Sequence, residues 1–342
     1  MKAVVFDRHG GADVLKYRDV PDPVPGHGEV RVKVAGCGVN HLDIWVRDGI
    51  PGVGPMPHIL GSEISGTVES LGPGASGVEV GANVLIAPGR GCGRCEFCIR
   101  GREQICPEFH VLGNQRQGGY AEYVVVDAAD CIPVNDRWSL TEWAAVPLVF
   151  QTAWHMLVDL GQIRAGQDVL IESAGSGVGT AGIQIAKLFG ARVIATGGSE
   201  SKRRWLVETM NADVAIDYTV QDVRKAVKSL TNGRGVDLVF SHVGGPTFKQ
   251  SMACLARGGT LVTCGATAGP IVELDLRFLF TRELNVRGAY LGTRSDLLEV
   301  VKLIADGKLR PVVNRVMPLA EAVEAQAMVA RREVMGKIVL TP

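Results

Sequence analysis

Residues 168–196, DVLIESAGSGVGTAGIQIAKLFGARVIAT, read as strand, turn, helix and strand. The apolar run DVLI meets a glycine-rich turn, apolar residues then recur at helical spacing, and a second apolar run, RVIAT, closes the unit. Parallel sheets are built from such units. In the turn, glycines at 175, 177 and 179 leave backbone N–H groups and the positive end of the helix open to a phosphate. Gly175, Ser176, Gly177, Val178 and Gly179 are therefore the expected pyrophosphate contacts of a dinucleotide. The spacing departs from G-x-G-x-x-G, because Ala174 and Ser176 stand at its first two glycine positions. A tight turn without a ligand could use the same glycines; the flanking strand–helix–strand pattern favours the nucleotide.

The second strand ends in VIATGGSESKRR. An NAD site usually places an acid there for the ribose 2′-OH, and Gly197 and Gly198 stand there instead. Ser199, Lys202, Arg203 and Arg204 follow. A missing carboxylate and added cations suit a 2′-phosphate, so NADPH is expected in preference to NADH, although the cations would also serve as a solvated helix face.

Farther along, VDLVFSHVG and GGTLVTCG repeat the pattern of a buried strand ending in glycine, as a parallel α/β sheet requires. Residues 1–149 differ in texture: Gly and Pro punctuate short alternating runs such as EVRVKVAG and YAEYVVV, which predicts a small-stranded β domain. The last fifty residues read mostly as helix, RSDLLEVVKLIADGKL and LAEAVEAQAMVARRE, before the strand KIVL. With 342 residues, two domains with a cleft between them are expected. Lys plus Arg equals Asp plus Glu, 36 against 36, so no net charge draws the chain to nucleic acid or an anionic membrane, and a small molecule is the expected partner. The first residues lack a secretory signal and no apolar run is long enough to span a bilayer, which predicts a cytoplasmic protein.

Cys92, Cys95, Cys98 and Cys106 lie in GRGCGRCEFCIRGREQIC, residues 89–106. Four thiolates complete a tetrahedral Zn²⁺ and leave no position for substrate, so one structural zinc is expected to hold a loop rather than to catalyse. An iron–sulfur cluster is the rival, but the gap before Cys106 departs from ferredoxin spacing. Cys37, Cys131, Cys254 and Cys264 are isolated and are expected to be buried small apolar residues.

The segments MKAVVF, GVNHLDIW, ILGSEISGTVESLGPG, GGYAEYVVV and GKIVL, together with the glycine turn, run the length of the chain. In them it resembles the medium-chain dehydrogenase/reductase superfamily of zinc alcohol dehydrogenases and quinone oxidoreductases. The resemblance implies an α/β protein: a GroES-like catalytic domain from residues 1–149 and 292–342, a structural-zinc lobe near 89–107, and a Rossmann domain over 150–291. It also implies a homodimer or homotetramer joined through the Rossmann sheet. It gives His41 as a contact to the cofactor pyrophosphate and places Thr152, Gly265 and Ala266 against the nicotinamide. Thr152 could instead only cap a helix starting there.

Where zinc alcohol dehydrogenases of this family carry Cys, His and Cys ligands to a catalytic metal, this chain has Asn40, Ser62 and Leu148, while the accompanying carboxylates Asp43 and Glu63 remain. Asn and Ser are poor zinc ligands and Leu is none. His41, His58 and Glu63 are the right residue types for a replacement site, but His58 reads as a loop imidazole. The family's proton relay is absent too, with Leu42 and Trp45 at its positions. The expected enzyme is therefore an NADPH-dependent reductase of quinones or α,β-unsaturated carbonyls, in which Asn40 donates a hydrogen bond to the developing oxyanion, with Ser62 as a further donor. Glu63 and Thr152 complete the candidate catalytic set. Trp45, Leu148, Trp154 and Leu291 would wall the pocket, or be ordinary core. Two other readings remain: an alcohol or aldehyde dehydrogenase with an irregular zinc site, and a non-enzymatic NADPH-binding protein.

Overall fold

The computed structural model describes residues 1–342. Backbone contacts gather Met1–Leu148 with Thr293–Pro342 into one unit and Val149–Gly292 into another.

In the second unit six parallel strands form one sheet, in the spatial order Val214–Ile216, Arg192–Thr196, Asp168–Ile171, Val236–Ser241, Leu255–Thr263, Asn285–Gly288. Counted along the chain this is 3-2-1-4-5-6, the doubly wound order of dinucleotide-binding domains. Helices Gly177–Leu188, Glu200–Glu208, Val223–Leu230 and Phe248–Cys254 lie in the first four crossovers and the short helix Leu276–Phe280 in the fifth. Val169, Leu170 and Ile171 are fully buried, as a strand covered on both faces demands. Around them pack Ile194, Val239, Leu261 and Phe248. The last strand of the sheet, Asn285–Gly288, is exposed at every position.

The first unit is built around a seven-stranded sheet whose centre is the long strand Glu29–Gly38. Its alternation puts Val30, Val32 and Val34 into the core and Lys33 outside. Glu63–Leu71 and Tyr123–Asp127 pair with it antiparallel. So does the carboxy-terminal strand Lys337–Thr341, in the register Val339 to Gly38 and Leu340 to Cys37, so both ends of the chain build this unit. Val313–Pro318 runs parallel beside Lys337–Thr341, in a region read from the sequence as helical. It lies at the end of the sheet and only Met317 is fully buried, so it lacks the apolar alternation that announces a strand. No helix is long and apolar enough to cross a membrane.

Candidate functional site

The glycine turn follows Asp168–Ile171, at the reversal of strand order where nucleotides bind in sheets of this kind. Ser176 caps the helix Gly177–Leu188, its Oγ accepting the Gly179 N–H at 3.0 Å. The same hydroxyl lies 3.2 Å from Nε2 of His242 at the end of the fourth strand. Gly179 has to be glycine: a Cβ there would stand 2.7 Å from the Ala174 carbonyl oxygen. At Gly175 the space is open, and the nearest atom, Cδ of Lys202, is 4.0 Å from where a Cβ would be. The turn thus presents bare backbone and a helix N-terminus on one side and an ammonium stem beside it, a fit for a dinucleotide pyrophosphate.

Gly197 and Gly198 end the second strand as the sequence indicates, and Ser199 caps the helix Glu200–Glu208 through the Lys202 N–H at 3.3 Å. Of the three neighbouring cations, Arg203 is taken up by Asp217 and Arg204 by Glu200 at 2.8 Å. Lys202 is the one whose stem passes beside the turn. Tyr218 was not singled out from the sequence, yet its hydroxyl lies 2.6 Å from where a Cβ on Gly198 would stand. Val214–Ile216 runs parallel beside Arg192–Thr196, and that parallel pairing is the signal that brings Tyr218 to the same edge.

Gly265 and Ala266 follow the fifth strand, where the Gly265 carbonyl accepts the Thr263 hydroxyl at 3.0 Å. Thr152 is buried inside the helix Pro147–Trp154, which removes the capping alternative, because a cap must precede the first turn. Leu291 is buried with φ near +55°, an uncommon conformation for a branched side chain. Trp154 packs edge-on against Phe189, ring centroids 5.7 Å apart, and belongs to the core.

In the first unit Asn40 and Glu63, with the Val39 carbonyl, hold a cation the sequence reading missed. Nζ of Lys337 donates to the Val39 carbonyl at 2.6 Å, to Asn40 Oδ1 at 2.7 Å and to Glu63 Oε2 at 2.7 Å. Glu63 is fully buried, and its Oε1 accepts the Leu148 N–H at 3.0 Å. Asn40 Nδ2 donates to the Gly38 carbonyl at 3.1 Å and to Glu63 Oε2 at 3.2 Å. The amide expected to await a substrate oxygen therefore has both hydrogens engaged within the protein. Nothing near Asn40 in the sequence foretells this, since Lys337 arrives on a strand from the far end of the chain. Ser62 is buried, and its Oγ has no hydrogen-bond partner.

Asp43 lies fully buried beneath this cluster, accepting from the Asn40 N–H at 2.7 Å, the Tyr120 hydroxyl at 3.0 Å and the Gly61 N–H at 3.2 Å. Burial pushes its carboxyl up to about 6 in spite of those bonds. His41 opens the helix His41–Asp48 with its ring edge-on to Trp45. His58 is not a loop residue: it sits fully buried in the strand His58–Ile59, its Nε2 3.2 Å from the Gly113 carbonyl and its ring against Phe6. With Glu63 these two histidines do not form a group of converging ligand atoms.

The four clustered cysteines do converge, their sulfurs all within 4.8 Å of one another. Cys92 Sγ and Cys98 Sγ are 3.9 Å apart, close to the tetrahedral edge set by Zn–S bonds of about 2.3 Å. Backbone N–H groups of Arg94 and Cys95 pull the Cys92 thiol down to about 6, and those of Cys92 and Glu108 point at the Cys106 sulfur at 3.4 and 3.3 Å. The donor set fits a zinc ion held by thiolates. Among the isolated cysteines, Cys37, Cys131 and Cys254 are buried as expected, whereas Cys264 is only half-buried.

Comparison with known proteins agrees with this architecture. Residues 26–136 match the family model for the alcohol dehydrogenase GroES-like domain, and residues 177–306 match that for zinc-binding dehydrogenases. A quinone oxidoreductase of Pseudomonas aeruginosa is 31% identical, covering 100% of this chain and 99% of that protein. An acryloyl-coenzyme A reductase of Sulfurisphaera tokodaii is 30% identical over 100% of both. A crystal structure of an NAD-dependent alcohol dehydrogenase superposes with a TM-score of 0.95 at 44% identity, covering 100% of each chain. With the six-stranded sheet, the glycine turn and the four-cysteine lobe, these matches show that the chain belongs to the medium-chain dehydrogenase/reductase superfamily, which includes zinc-type alcohol dehydrogenases and quinone oxidoreductases.

Proposed function

We propose that this oxidoreductase reduces a quinone or an α,β-unsaturated carbonyl with NADPH and uses no catalytic metal. The observation that carries the reading is the Lys337–Asn40–Glu63 cluster. Asn40 Oδ1 and Glu63, the oxygen donors nearest the family's metal position, are already bound to a buried ammonium, and Ser62 and Leu148 cannot make up a ligand set. Bound NADPH supplies the hydride. The chain's task is then to hold a conjugated carbonyl and to stabilise the negative charge that develops on its oxygen. A conjugated acceptor spreads that charge, so hydrogen bonds suffice where a simple ketone or alcohol needs a Lewis acid. Ser62 has the hydroxyl without a partner and leads as donor; the Asn40 amide contributes by giving up one of its longer bonds.

For the cofactor, the absence of an acid at Gly197 and Gly198 and the presence of Lys202, Ser199 and Tyr218 favour a 2′-phosphate. The exposed strand Asn285–Gly288 suits a homodimer or homotetramer, because an unpaired edge offers its backbone to another copy. Thiols gathered for a metal rather than paired as disulfides suit the cytoplasm. The likeness to an NAD-dependent alcohol dehydrogenase favours a second reading, in which an alcohol is oxidised with NAD⁺. A screen separates the two: NADPH with a naphthoquinone or an enone should turn over, and NAD⁺ with simple alcohols should not. The opposite result overturns the proposal.

A further inference from the structure

The second unit contains a cavity of about 260 Å³ at the end of its sheet opposite the glycine turn. Every residue lining it lies between Leu160 and Arg287, within that unit. Strand direction fixes the placement. The glycine turn leaves the carboxy-terminal end of Asp168–Ile171, whereas Gln167 of the cavity wall just precedes that strand and Asn285 begins the last one.

The local chain path shapes the space. Beyond Trp154 the helix runs on as a π-helix over His155–Leu160 and closes with the Gly161 N–H on the Met156 carbonyl, five residues back, at 2.9 Å. Gly161 then passes close to the sheet. A Cβ there would stand 2.6 Å from the Leu238 side chain and 2.8 Å from the Leu157 carbonyl oxygen, so only glycine lets the chain come this near. Strand pairing sets Thr260 beside Leu238 and Asn285 beside Thr260 on the same face, and Arg287, two residues along, shares the face of Asn285.

Three arginines line this cavity from three separate segments: Arg164 from the loop behind the π-helix, Arg257 from the fifth strand and Arg287 from the sixth. All three are exposed, and no carboxylate pairs with any of them. Arg257 Nη1 donates to the Thr281 carbonyl at 2.9 Å, which leaves its charge uncompensated. The one acid in the lining, Asp237, is taken up already: both its oxygens accept from Arg234, at 2.5 and 2.8 Å, and one also accepts the Asp168 N–H at 2.8 Å. Three like charges around one cavity repel one another, and a dianion bridging them removes that repulsion. Guanidinium forks match the oxygens of a phosphate, with two N–H groups to each pair. The volume lies below the roughly 300–1,000 Å³ of sites for drug-sized ligands, so the cavity suits a phosphate group with little attached and not a dinucleotide.

We propose that this cavity is a second anion site, held by Arg164, Arg257 and Arg287, for free phosphate or the phosphate group of a small molecule. It is separate from the cofactor's pyrophosphate, and it depends neither on the hydride acceptor nor on the choice between NADPH and NADH. Because Arg287 belongs to the edge strand, the bound anion ties that edge to the segments beside it.

The test uses the full-length, zinc-loaded protein in phosphate-free buffer at constant ionic strength, with NADPH or, where it binds tighter, NADH at saturation. The glycine turn is then filled and takes no phosphate. Inorganic phosphate, titrated calorimetrically, should bind once per chain. Arg164→Gln, Arg257→Gln and Arg287→Gln, at exposed positions where the fold tolerates change, should each weaken binding by about tenfold or more, and the triple variant should abolish it. Arg277→Gln, which removes an exposed charge of the same unit outside the cavity, should leave binding unchanged. Phosphate should also raise the unfolding temperature of the parent and leave that of the triple variant unmoved. Glycerol phosphate separates the sources: binding at least as tight as inorganic phosphate assigns the cavity to a phosphorylated small molecule, and binding of inorganic phosphate alone assigns it to the free ion. No binding to the parent overturns the proposal. So does an affinity unchanged in the triple variant, or one lowered as much by Arg277→Gln, which would reduce the effect to diffuse surface charge.

Discussion

At the scale of single residues, the chemistry turns on which donors are free. Ser62 has a buried hydroxyl without a partner, so Ser62→Ala should lower kcat/KM by roughly ten- to a thousandfold while leaving NADPH affinity unchanged. An unaltered rate with a good acceptor would remove Ser62 from the mechanism. Lys202 is the cation whose stem lies beside the glycine turn, so Lys202→Ala should cut the preference for NADPH over NADH by roughly tenfold, about 1.4 kcal/mol. Titration calorimetry with both cofactors measures it, and an unchanged ratio would move the phosphate contact elsewhere. Asp43 gives a pH signature. Its folded-state carboxyl, at about 6, lies above the unfolded value near 3.9, so the folded chain holds the proton more tightly. The stability this contributes is present below about pH 4 and lost as pH rises through about 6, a change on the order of 3 kcal/mol. Denaturant unfolding of the parent and of Asp43→Asn should show their difference shrinking over that window; a difference independent of pH would mean Asp43 does not titrate there.

At the scale of elements, local signals were legible and long-range ones were not. The strand, turn and helix of residues 168–188 form as read, because their apolar spacing and glycines act within the segment. The four-cysteine lobe was equally open to reading, its ligands lying within one short stretch and converging in the structure. Tyr218 and Lys337 escaped because each reaches its place through strand pairing, one beside Gly198 and the other beside Asn40. For the same reason the Asn40 amide looked available in the sequence and is engaged in the fold. The strand Val313–Pro318 was hidden by its exposed, weakly apolar side chains. For the lobe, Cys95→Ser should bind less zinc and unfold at a lower temperature, because metal held only by the folded lobe contributes its binding energy to folding. Turnover per folded site should persist at low temperature. A variant as stable as the parent, or one folded but inactive, would contradict a purely structural zinc.

At the scale of the whole molecule, the chain keeps its family's frame and a four-cysteine lobe that fits zinc, and Asn40 and Glu63 bind the buried ammonium of Lys337. On the reading proposed above no metal acidifies an alcohol, and an ion pair with every donor spent does not take over that role from Zn²⁺. The central claim is therefore metal-independent reduction. Its most direct test is elemental analysis of the purified protein combined with the NADPH–naphthoquinone rate on the same samples. The account predicts one tightly bound zinc per chain and a rate per folded site that does not change when further zinc is added. Two tightly bound zincs per chain, with a rate that follows occupancy of the second, would contradict it and establish alcohol dehydrogenase chemistry in its place.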